Sequence, residues 1–378
     1  MSLVLHITNL PTPYRLPLYR AMRGLLRERG SDLHVFFLGY AASVREWKVG
    51  ADDMHGLRWS AANGSALAGA LSAIRETRPS AVILSWAMDH IALALLLYCQ
   101  SRKIPCYIVS GETMQSAMGN PWPSLRQIFR QPFFTLAAGF ITYGLRSTEY
   151  LVRSGVPQDR VTTGVNVSDT MLFAVETERL RKSGGAAMML EQFTRPGRAP
   201  FRCHFLFVGY FHQAKGIIQM IRAFRHLGHA DVALHIVGSG PQEREIRHEI
   251  MGSGLGESIF MHGYRQQHEL PMYYAMADVL LFPSLQEVYG LVMAEGAAAG
   301  LPIIASRHAG GIPEIVEDGT NGLIIDPNDV IEFSEAMGLL ADDPDLRSRM
   351  GAASLQHAMQ SLTIERSAEL YIRAVMGE

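Results

Sequence analysis

The sequence predicts an α/β protein built from two doubly wound parallel sheets. Short, wholly apolar runs alternate with stretches of helical periodicity along the chain, which is the pattern of strands buried on both faces and connected by helices. The length of 378 residues exceeds that of one domain of about 150 residues. Glycines and prolines interrupt the alternation between residues 177 and 200, so we predict one domain on each side of this segment.

The first domain is predicted over residues 1–175. Its six candidate strands are residues 3–8, 33–39, 81–86, 106–110, 139–143 and 161–165. Residues 16–28 and 91–101 show helical periodicity between them. The apolar stretch from Ala81 to Cys99 carries Asp89 and His90. These polar groups argue for a strand followed by a helix rather than for a membrane span.

The second domain is predicted over residues 201–359, after a partly helical linker over residues 176–200. Its candidate strands are residues 204–208, 233–237, 258–262, 279–283, 303–306 and 322–325. We expect the terminal helix, about residues 360–378, to pack back on the first domain. Doubly wound sheets bind ligands at the carboxyl ends of their strands. We therefore expect the ligands in the cleft across which the two domains face each other.

Composition excludes several classes of protein. Lys plus Arg number 34 and Asp plus Glu number 36, a formal charge of -2, so no excess of positive charge is available to bind nucleic acid. The three cysteines are too few for a disulfide framework or a zinc site and are expected to be buried thiols in a reducing compartment. The N-terminus has no charged segment of the kind that opens a signal peptide. We expect a cytoplasmic protein without a metal or a cofactor.

Most of the residues with a candidate chemical role lie in residues 283–327. A loop after a predicted strand carries Glu287, Tyr289 and Gly290, and a helix begins near Leu291. The unbonded N–H groups and the macrodipole of a helix N-terminus attract a phosphate or a diphosphate. Gly290 allows a ligand to approach the backbone closely. This loop is therefore a candidate phosphate site.

Two carboxylates, Glu287 and Glu295, flank that candidate site with seven residues between them. A carboxylate is a poor ligand for phosphate, so we expect both to contact hydroxyl groups, such as those of a sugar ring and a ribose on either side of a diphosphate. The alternative is that Glu295 is an exposed helix residue and Glu287 is an acid at a helix N-terminus.

Several short motifs accompany the Glu287 to Glu295 spacing. They are residues 300–306 (GLPIIAS), 310–316 (GGIPEIV), 317–327 (EDGTNGLIIDP), 207–216 (FVGYFHQAKG), 236–241 (IVGSGP) and 262–264 (HGY). In these motifs the sequence resembles the retaining glycosyltransferases of family 4, which have the GT-B architecture. In the first domain, residues 141–144, 155–157 and 166–173 are similar to the family. Residues 9–19 (NLPTPYRLPLY) resemble the first loop of a bacterial subgroup that builds surface polysaccharides.

The resemblance implies transfer of a hexose-type sugar from a nucleoside diphosphate sugar to an acceptor hydroxyl, with retention and without a metal. Lys215 would supply a cation to the departing diphosphate, Glu287 would hold the transferred sugar, and Glu295 the ribose. The N–H donors would be those of Gly290, Leu291 and Val292. Other implied donor-binding residues are Gly209, Tyr210, Gly238, Gly240, Tyr264 and Tyr289. We expect UDP rather than GDP as the nucleotide.

The sequence departs from the family at two positions. Tyr210 stands where the family usually has an arginine, so either Arg265 or Arg307 substitutes for it or the diphosphate is held more weakly. Glu112 stands near the place where the family often has a histidine, and it either contacts the sugar or acceptor or is an acid at a helix start. A nucleotide-sugar-binding subunit with impaired catalysis and a sugar-nucleotide epimerase are therefore kept as alternative functions.

The expected acceptor is a glycan or a lipid-linked molecule held by the first domain. The candidate acceptor residues are Tyr14, Arg15, His90 and Glu112. Arg15 would contact a phosphate of the donor or acceptor, or it is a solvated loop arginine. His90 would face either the cleft or the sheet. Residues 120–134 mix aromatic residues with two arginines, and they form either a peripheral membrane contact at the inner face of the membrane or a core helix.

Overall fold

The structure is a computed structural model that describes residues 2–39, 49–50, 52–85, 88–115, 123–194, 197 and 199–377, with the main chain alone described at residues 123–128. The chain forms two compact units. The first comprises Met1–Ser168 and Ile364–Glu378, and the second comprises Asp169–Thr363. The sequence analysis placed the corresponding limits at residues 175 and 359, with a linker over residues 176–200.

The strands of the described residues form two parallel sheets. They are β1 (Ser2–Thr8), β2 (Ser31–Phe37), β3 (Trp59–Ala61), β4 (Ala81–Ser85), β5 (Cys106–Ser110), β6 (Gly139–Thr142), β7 (Val161–Thr163), β8 (Cys203–Val208), β9 (Val232–Val237), β10 (Ile259–Gly263), β11 (Val279–Phe282), β12 (Ile303–Ser306) and β13 (Gly322–Ile325). Their order is β3–β2–β1–β4–β5–β6–β7 in the first unit and β10–β9–β8–β11–β12–β13 in the second. In both sheets the order reverses beside the first strand, which is the doubly wound topology that the sequence predicts.

Helices connect the strands. Within the described residues they are α1 (Leu16–Glu28), α2 (Ala66–Thr77), α3 (His90–Ser101), α4 (Pro123–Leu136), α5 (Leu145–Arg153), α6 (Thr170–Lys182), α7 (Gly185–Glu191), α8 (Ile217–Leu227), α9 (Glu243–Ser253), α10 (Leu270–Met276), α11 (Leu291–Ala298), α12 (Ile312–Ile315), α13 (Val330–Asp342), α14 (Pro344–Ser361) and α15 (Ile364–Met376). The segment predicted as a partly helical linker contains the end of α6 and all of α7, and both helices belong to the second unit.

The sheet of the first unit is covered on both faces. On one face, Tyr19 and Met22 of α1 pack with Ala368 and Ile372 of α15. On the other face, α2, α3 and α4 pack against the sheet with residues such as Phe133. Because both faces are buried, the central strands are almost entirely apolar.

The edge strand β3 was not among the predicted strands. It has three residues, and Trp59 at its start is exposed. A strand that is neither wholly apolar nor long enough to alternate carries no clear periodic signal. The strand exists because its main chain pairs with residues 35–37 of β2.

The sheet of the second unit holds the residues that the sequence analysis singled out. Its six predicted strands are all present, with ends shifted by one residue or so. All its strand pairs are parallel, so the carboxyl ends lie along one edge. The loops over residues 209–216, 238–242 and 283–290 follow strands that are neighbours in the sheet, and this edge brings them together.

Candidate active site

The loop after β8 and the loop after β11 pack backbone to backbone. Gly216 has a φ of 67°, and a Cβ atom there would lie 2.0 Å from the carbonyl oxygen of Pro283. The N–H groups of Leu285 and Gln286 both donate to the carbonyl of Ala214, at 2.8 and 3.2 Å. Only glycine fits at position 216, because it has no Cβ and tolerates a positive φ. This contact sets the position of the neighbouring Lys215.

Lys215 and Glu287 form an ion pair at this junction. The ammonium of Lys215 donates to Oε2 of Glu287, and its Nζ lies 5.9 Å from the centre of the Phe282 ring. The side chains of Lys215 and Glu287 are 25% and 17% exposed, so both charges remain accessible to solvent. The other oxygen, Oε1 of Glu287, accepts the N–H of Val288 at 3.1 Å. The two predicted catalytic residues are therefore direct neighbours.

The N-terminus of α11 lies shortly after Glu287 in the chain, at Leu291. Gly290 has a φ of 102°, and a Cβ atom there would lie 2.7 Å from the Phe282 ring and 2.8 Å from the Met293 side chain. The helix has no side-chain cap and no acidic residue in its first turn. The partial positive charge at its start is therefore not compensated by a side chain, which suits an anion. Leu291 and Val292, the first two helical residues, are half-buried.

Glu295 lies in the second turn of α11 and is 7% exposed. Its Oε2 accepts the phenolic O–H of Tyr274 at 2.8 Å. Burial, and secondly the negative charge of Glu295, raise the pKa of Tyr274 well above its usual value, so the phenol stays protonated and remains a donor. The alternative interpretation of Glu295 as an exposed helix residue is wrong.

The two glycines of the second loop, Gly238 and Gly240, have a packing role in the structure. Cβ atoms there would lie 1.9 Å from the carbonyl oxygen of Gly209 and 2.5 Å from that of Phe211. Across the same contact, Phe211 donates its N–H to Ser239 at 2.8 Å and accepts from Gln242 at 3.0 Å. The need for close approach of two loops is thus enough to explain these glycines. Their contact with a ligand stays a prediction.

The aromatic residues predicted for the donor site differ in exposure. Tyr210 and Tyr264 are half-buried. Tyr289 is 2% exposed, and its carbonyl accepts the N–H of Gly311 at 2.9 Å. The structure therefore places the Tyr289 ring inside the second unit, whereas Tyr210 and Tyr264 keep an accessible surface.

The two arginines proposed to replace the family's usual arginine have other contacts. Arg307 donates to Glu332 at 2.7 Å. Arg265 lies 5.6 Å from the centre of the Tyr273 ring and 3.8 Å from Glu269. Each arginine would have to exchange an existing contact for one with a diphosphate. The structure therefore does not identify either of them as a replacement for the family's usual arginine.

Sequence reasoning did not single out Ser284, which lies two residues after the end of β11. It has no exposed surface, and its Oγ has no hydrogen-bond partner within the described part of the chain. Its position at the end of a central strand, three residues before Glu287, was the signal available. Tyr274 was also missed, and no sequence pattern links it to Glu295.

Arg15, in the first unit, is not a solvated loop residue. It is 8% exposed, and its Nη1 donates to the hydroxyl of Tyr371 at 3.4 Å. Its guanidinium carbon lies 5.0 Å from the centre of the Tyr143 ring and 5.8 Å from that of Tyr14. The predicted acceptor residues Tyr14 and Arg15 are therefore in contact.

Glu112 is held by an ion pair with Arg130, which also donates to the hydroxyl of Tyr150. Together with Ser110 and the apolar side chains of Leu84 and Phe133, Glu112 lines a pocket within the first unit. His90 begins α3 and is exposed, so it does not pack against the sheet. The structure gives Glu112 a pocket and leaves His90 on the surface.

Part of the segment predicted to contact a membrane, residues 120–134, lies outside the described residues. Residues 120–122 and the side chains of residues 123–128 lie outside the described residues. Beyond them, Phe129 is 74% exposed, whereas Phe133 and Phe134 are buried. Among the helices that the structure describes, none is both long and apolar enough to cross a bilayer.

The paired doubly wound sheets define the GT-B architecture, and solved structures share it. The Anabaena HepE protein, solved in complex with UDP, superposes with a TM-score of 0.78 at 16% identity over all of both chains. WaaG, a glycosyltransferase involved in lipopolysaccharide biosynthesis, superposes with a TM-score of 0.69 at 13% identity, covering 99% of this chain and 100% of that one. These likenesses confirm the predicted fold.

Residues 196–357 match the family described as glycosyl transferases group 1. A D-inositol 3-phosphate glycosyltransferase from Thermomonospora curvata is 30% identical over 272 residues, which are 67% of this chain and 61% of that protein. The matches to such enzymes from Arthrobacter and Corynebacterium jeikeium span 42% and 45% of the relatives' lengths, so the chain spans less than half of those relatives. The match to the group 1 glycosyl transferases lies in the second unit, and it confirms the predicted resemblance to this kind of glycosyltransferase.

Proposed function

We propose that the chain transfers a hexose-type sugar from a nucleoside diphosphate sugar to an acceptor hydroxyl, with retention of configuration and without a metal. The observation that carries the proposal is the Lys215–Glu287 ion pair beside the uncapped N-terminus of α11. It places a cation, a carboxylate and unbonded N–H groups on adjoining loops of one family-matched unit.

The reaction requires stabilisation of the negative charge that develops on the departing diphosphate. Positioned cations and N–H donors do this without a general acid. Lys215 is the proposed cation, and the N–H groups of Gly290, Leu291 and Val292 are the proposed donors. Because Lys215 is now paired with Glu287, binding of the donor would exchange or share that contact. Glu287 would then accept hydrogen bonds from the hydroxyls of the transferred sugar.

Glu295 is the proposed partner of the ribose hydroxyls. The hydrogen bond from Tyr274 holds Oε2 in one position, and a buried carboxylate of fixed orientation is suited to a diol. Its 7% exposure is consistent with a side chain that is reached from one direction only.

We propose UDP as the nucleotide, ahead of GDP. The HepE structures contain UDP or UDP-glucose, whereas a Mycolicibacterium smegmatis relative, 35% identical over 156 residues, is named as GDP-mannose-dependent. Thermal shift with UDP, GDP, ADP, CDP and dTDP in the absence of metal tests this choice. A ligand at 100 times its dissociation constant stabilises by about 2.7 kcal/mol. A shift with UDP alone supports the proposal, and a shift with GDP alone contradicts the choice of base.

On the acceptor side, we propose that the first unit binds a glycan or lipid-linked molecule in bacterial polysaccharide or glycoconjugate assembly. Tyr14, Arg15, His90 and Glu112 are the proposed contacts. We further propose that the protein acts in the cytoplasm at the inner face of the membrane. Flotation with anionic liposomes tests the last point, and absence from the lipid fraction would contradict it.

The second candidate is a nucleotide-sugar-binding subunit with impaired catalysis. It is supported by Tyr210 at the usual arginine position and by the engagement of Arg307 with Glu332. Release of nucleotide from labelled donors, by transfer or by hydrolysis, separates the two functions. Nucleotide binding without any such release would favour the second, and Tyr210→Arg should then strengthen nucleotide binding.

A further inference from the structure

Arg15 is a buried cation surrounded by tyrosines in the first unit. Besides its contacts with Tyr14, Tyr143 and Tyr371, its charge acts on Tyr19. Burial raises the pKa values of Tyr19 and Tyr371, so these phenols stay neutral at physiological pH. They solvate the guanidinium but supply no negative charge.

No acidic side chain in the described part of the chain balances Arg15. Among the described residues, none of the carboxylates lies within 4 Å of its guanidinium, although Arg23 and Arg130 of the same unit each have such a partner. His6 has no exposed surface, and its pKa is lowered to about 3 by burial and then by the charge of Arg15. The imidazole of His6 is therefore neutral and supplies no negative charge to Arg15 either. Buried charges in proteins are normally paired, so the unbalanced Arg15 suits an anion that comes from outside the chain.

The main chain around Arg15 favours an anion as well. A 3₁₀ turn, Pro13–Arg15, runs directly into α1, and neither element has a side-chain cap or an acidic residue in its first turn. The start of this thirteen-residue helix thus carries an uncompensated partial positive charge. Thr12, which precedes the turn, is 8% exposed, and its hydroxyl has no partner among the described residues. Within residues 12–16 there are thus a cation, a helix start and an unused hydroxyl.

We infer that Arg15, Thr12 and the start of α1 form a subsite for a phosphate ester or phosphodiester carried by the acceptor. The forked guanidinium pairs with two oxygens of a phosphoryl group, the Thr12 hydroxyl can donate to another oxygen, and the partial positive charge at the start of α1 attracts the anion. The inference rests on the proposed function, in which Lys215 and α11 of the second unit hold the donor diphosphate. That assignment leaves the subsite of the first unit for the acceptor.

The test is binding of inorganic phosphate to the 378-residue chain in saturating UDP, which occupies the donor site. Thermal shift is recorded at constant ionic strength for wild type, Arg15→Met, Arg15→Lys and Arg20→Met. Arg20 lies on the same helix and donates to carbonyls of residues 53 and 55, so Arg20→Met is the matched loss of charge. We expect Arg15→Met to weaken phosphate binding at least about tenfold, Arg15→Lys to weaken it less, and Arg20→Met to leave it unchanged.

Two further experiments identify the kind of molecule that carries the phosphoryl group. Glycerol 3-phosphate competing with inorganic phosphate indicates a soluble phosphomonoester. Arg15-dependent cosedimentation with phosphatidylglycerol vesicles indicates a lipid phosphodiester. Either result supports the inference.

The inference is overturned if wild type binds none of the three probes, or if Arg15→Met or, should that variant not fold, Arg15→Lys binds phosphate as wild type does. It is also overturned if saturating UDP abolishes phosphate binding, because the site is then that of the donor. Failure to bind any nucleotide would instead refute the proposed function, so the two failures are distinguishable.

Discussion

Tyr274 donates its phenolic hydrogen to Oε2 of Glu295 at 2.8 Å, and this bond joins α10 to α11 inside the second unit. Tyr274 has no exposed surface. A carboxylate placed this deep needs donors, since burial of a charge without them is unfavourable. The bond therefore both stabilises the unit and orients the carboxylate proposed to hold the ribose.

Tyr274→Phe should lower the free energy of unfolding by about 1–3 kcal/mol, because it removes a donor from a buried charged group. UDP should also bind less tightly, since Glu295 is no longer held in one position. Urea denaturation and calorimetric titration measure the two effects. Tyr273→Phe is the matched control, because its ring packs against His262 and not on Glu295. Equal stability of Tyr274→Phe and wild type would contradict the assignment.

Lys215→Ala should weaken UDP binding at least about tenfold, because it removes the proposed cation from the diphosphate. Lys182→Ala is the control, since Lys182 is 75% exposed and pairs with Glu178 on the surface of α6. Unchanged UDP binding in Lys215→Ala would contradict the proposed donor site.

Glu287→Gln should bind UDP almost as wild type does but lose transfer, because the proposed partner of Glu287 is the sugar. A double-mutant cycle on stability should give a coupling of about 1 kcal/mol or less between Lys215 and Glu287, because this pair is partly exposed.

Gly216→Ala should destabilise the second unit by about 3 kcal/mol, because it combines a positive φ with a Cβ that meets the carbonyl of Pro283. Gly254→Ala isolates the effect of the positive φ from that of the close contact. Gly254 has a φ of 73° but no atom within 4 Å of its Cβ position, so about 1–2 kcal/mol is expected there. Chemical denaturation of both variants measures the difference. If the two losses are equal, the loops do not depend on the contact at Gly216.

Three histidines on adjacent strands should make the stability of the second unit depend on pH. His235 lies between His204 and His262, with nitrogen–nitrogen distances of 3.0 Å on each side. Burial is the largest cause that lowers the pKa values of all three histidines. The charge of Arg265 lowers the pKa of His262 further. The charge of Asp278 acts in the opposite direction on the pKa of His204. The pKa of His262 is lowered to about 4, whereas an unfolded histidine has a pKa of about 6.5.

Between those pH values the unfolded chain binds more protons than the folded one. The stability should therefore be complete above about pH 6.5 and should fall as the pH is lowered toward 4. Thermal unfolding as a function of pH measures this slope. His262→Gln should flatten it, whereas His248→Gln, at an exposed position on α9, should leave it unchanged. A wild-type slope of zero in this range would contradict the inference that folding lowers the pKa values of these three histidines.

Much of the second unit could be predicted because its signals are local. The strands are wholly apolar runs, and the loop chemistry follows each strand directly, as with Lys215 after β8 and Glu287 after β11. In parallel sheets such loops meet at one edge, so their proximity follows from the topology alone. The short strand β3 escaped prediction because its formation depends on pairing with β2 and not on its own composition.

The amino-acid sequence by itself determined the two doubly wound sheets, the family resemblance and the loops that carry the candidate chemistry, because burial on both strand faces and glycines at tight turns leave local patterns. The tertiary structure alone decided which side chains meet. Tyr274 reaches Glu295 across 21 positions, and Arg15 receives Tyr371 from a helix 356 positions away. Such partners are selected by helix packing and strand register, which bring together residues that have no periodic relation in the chain.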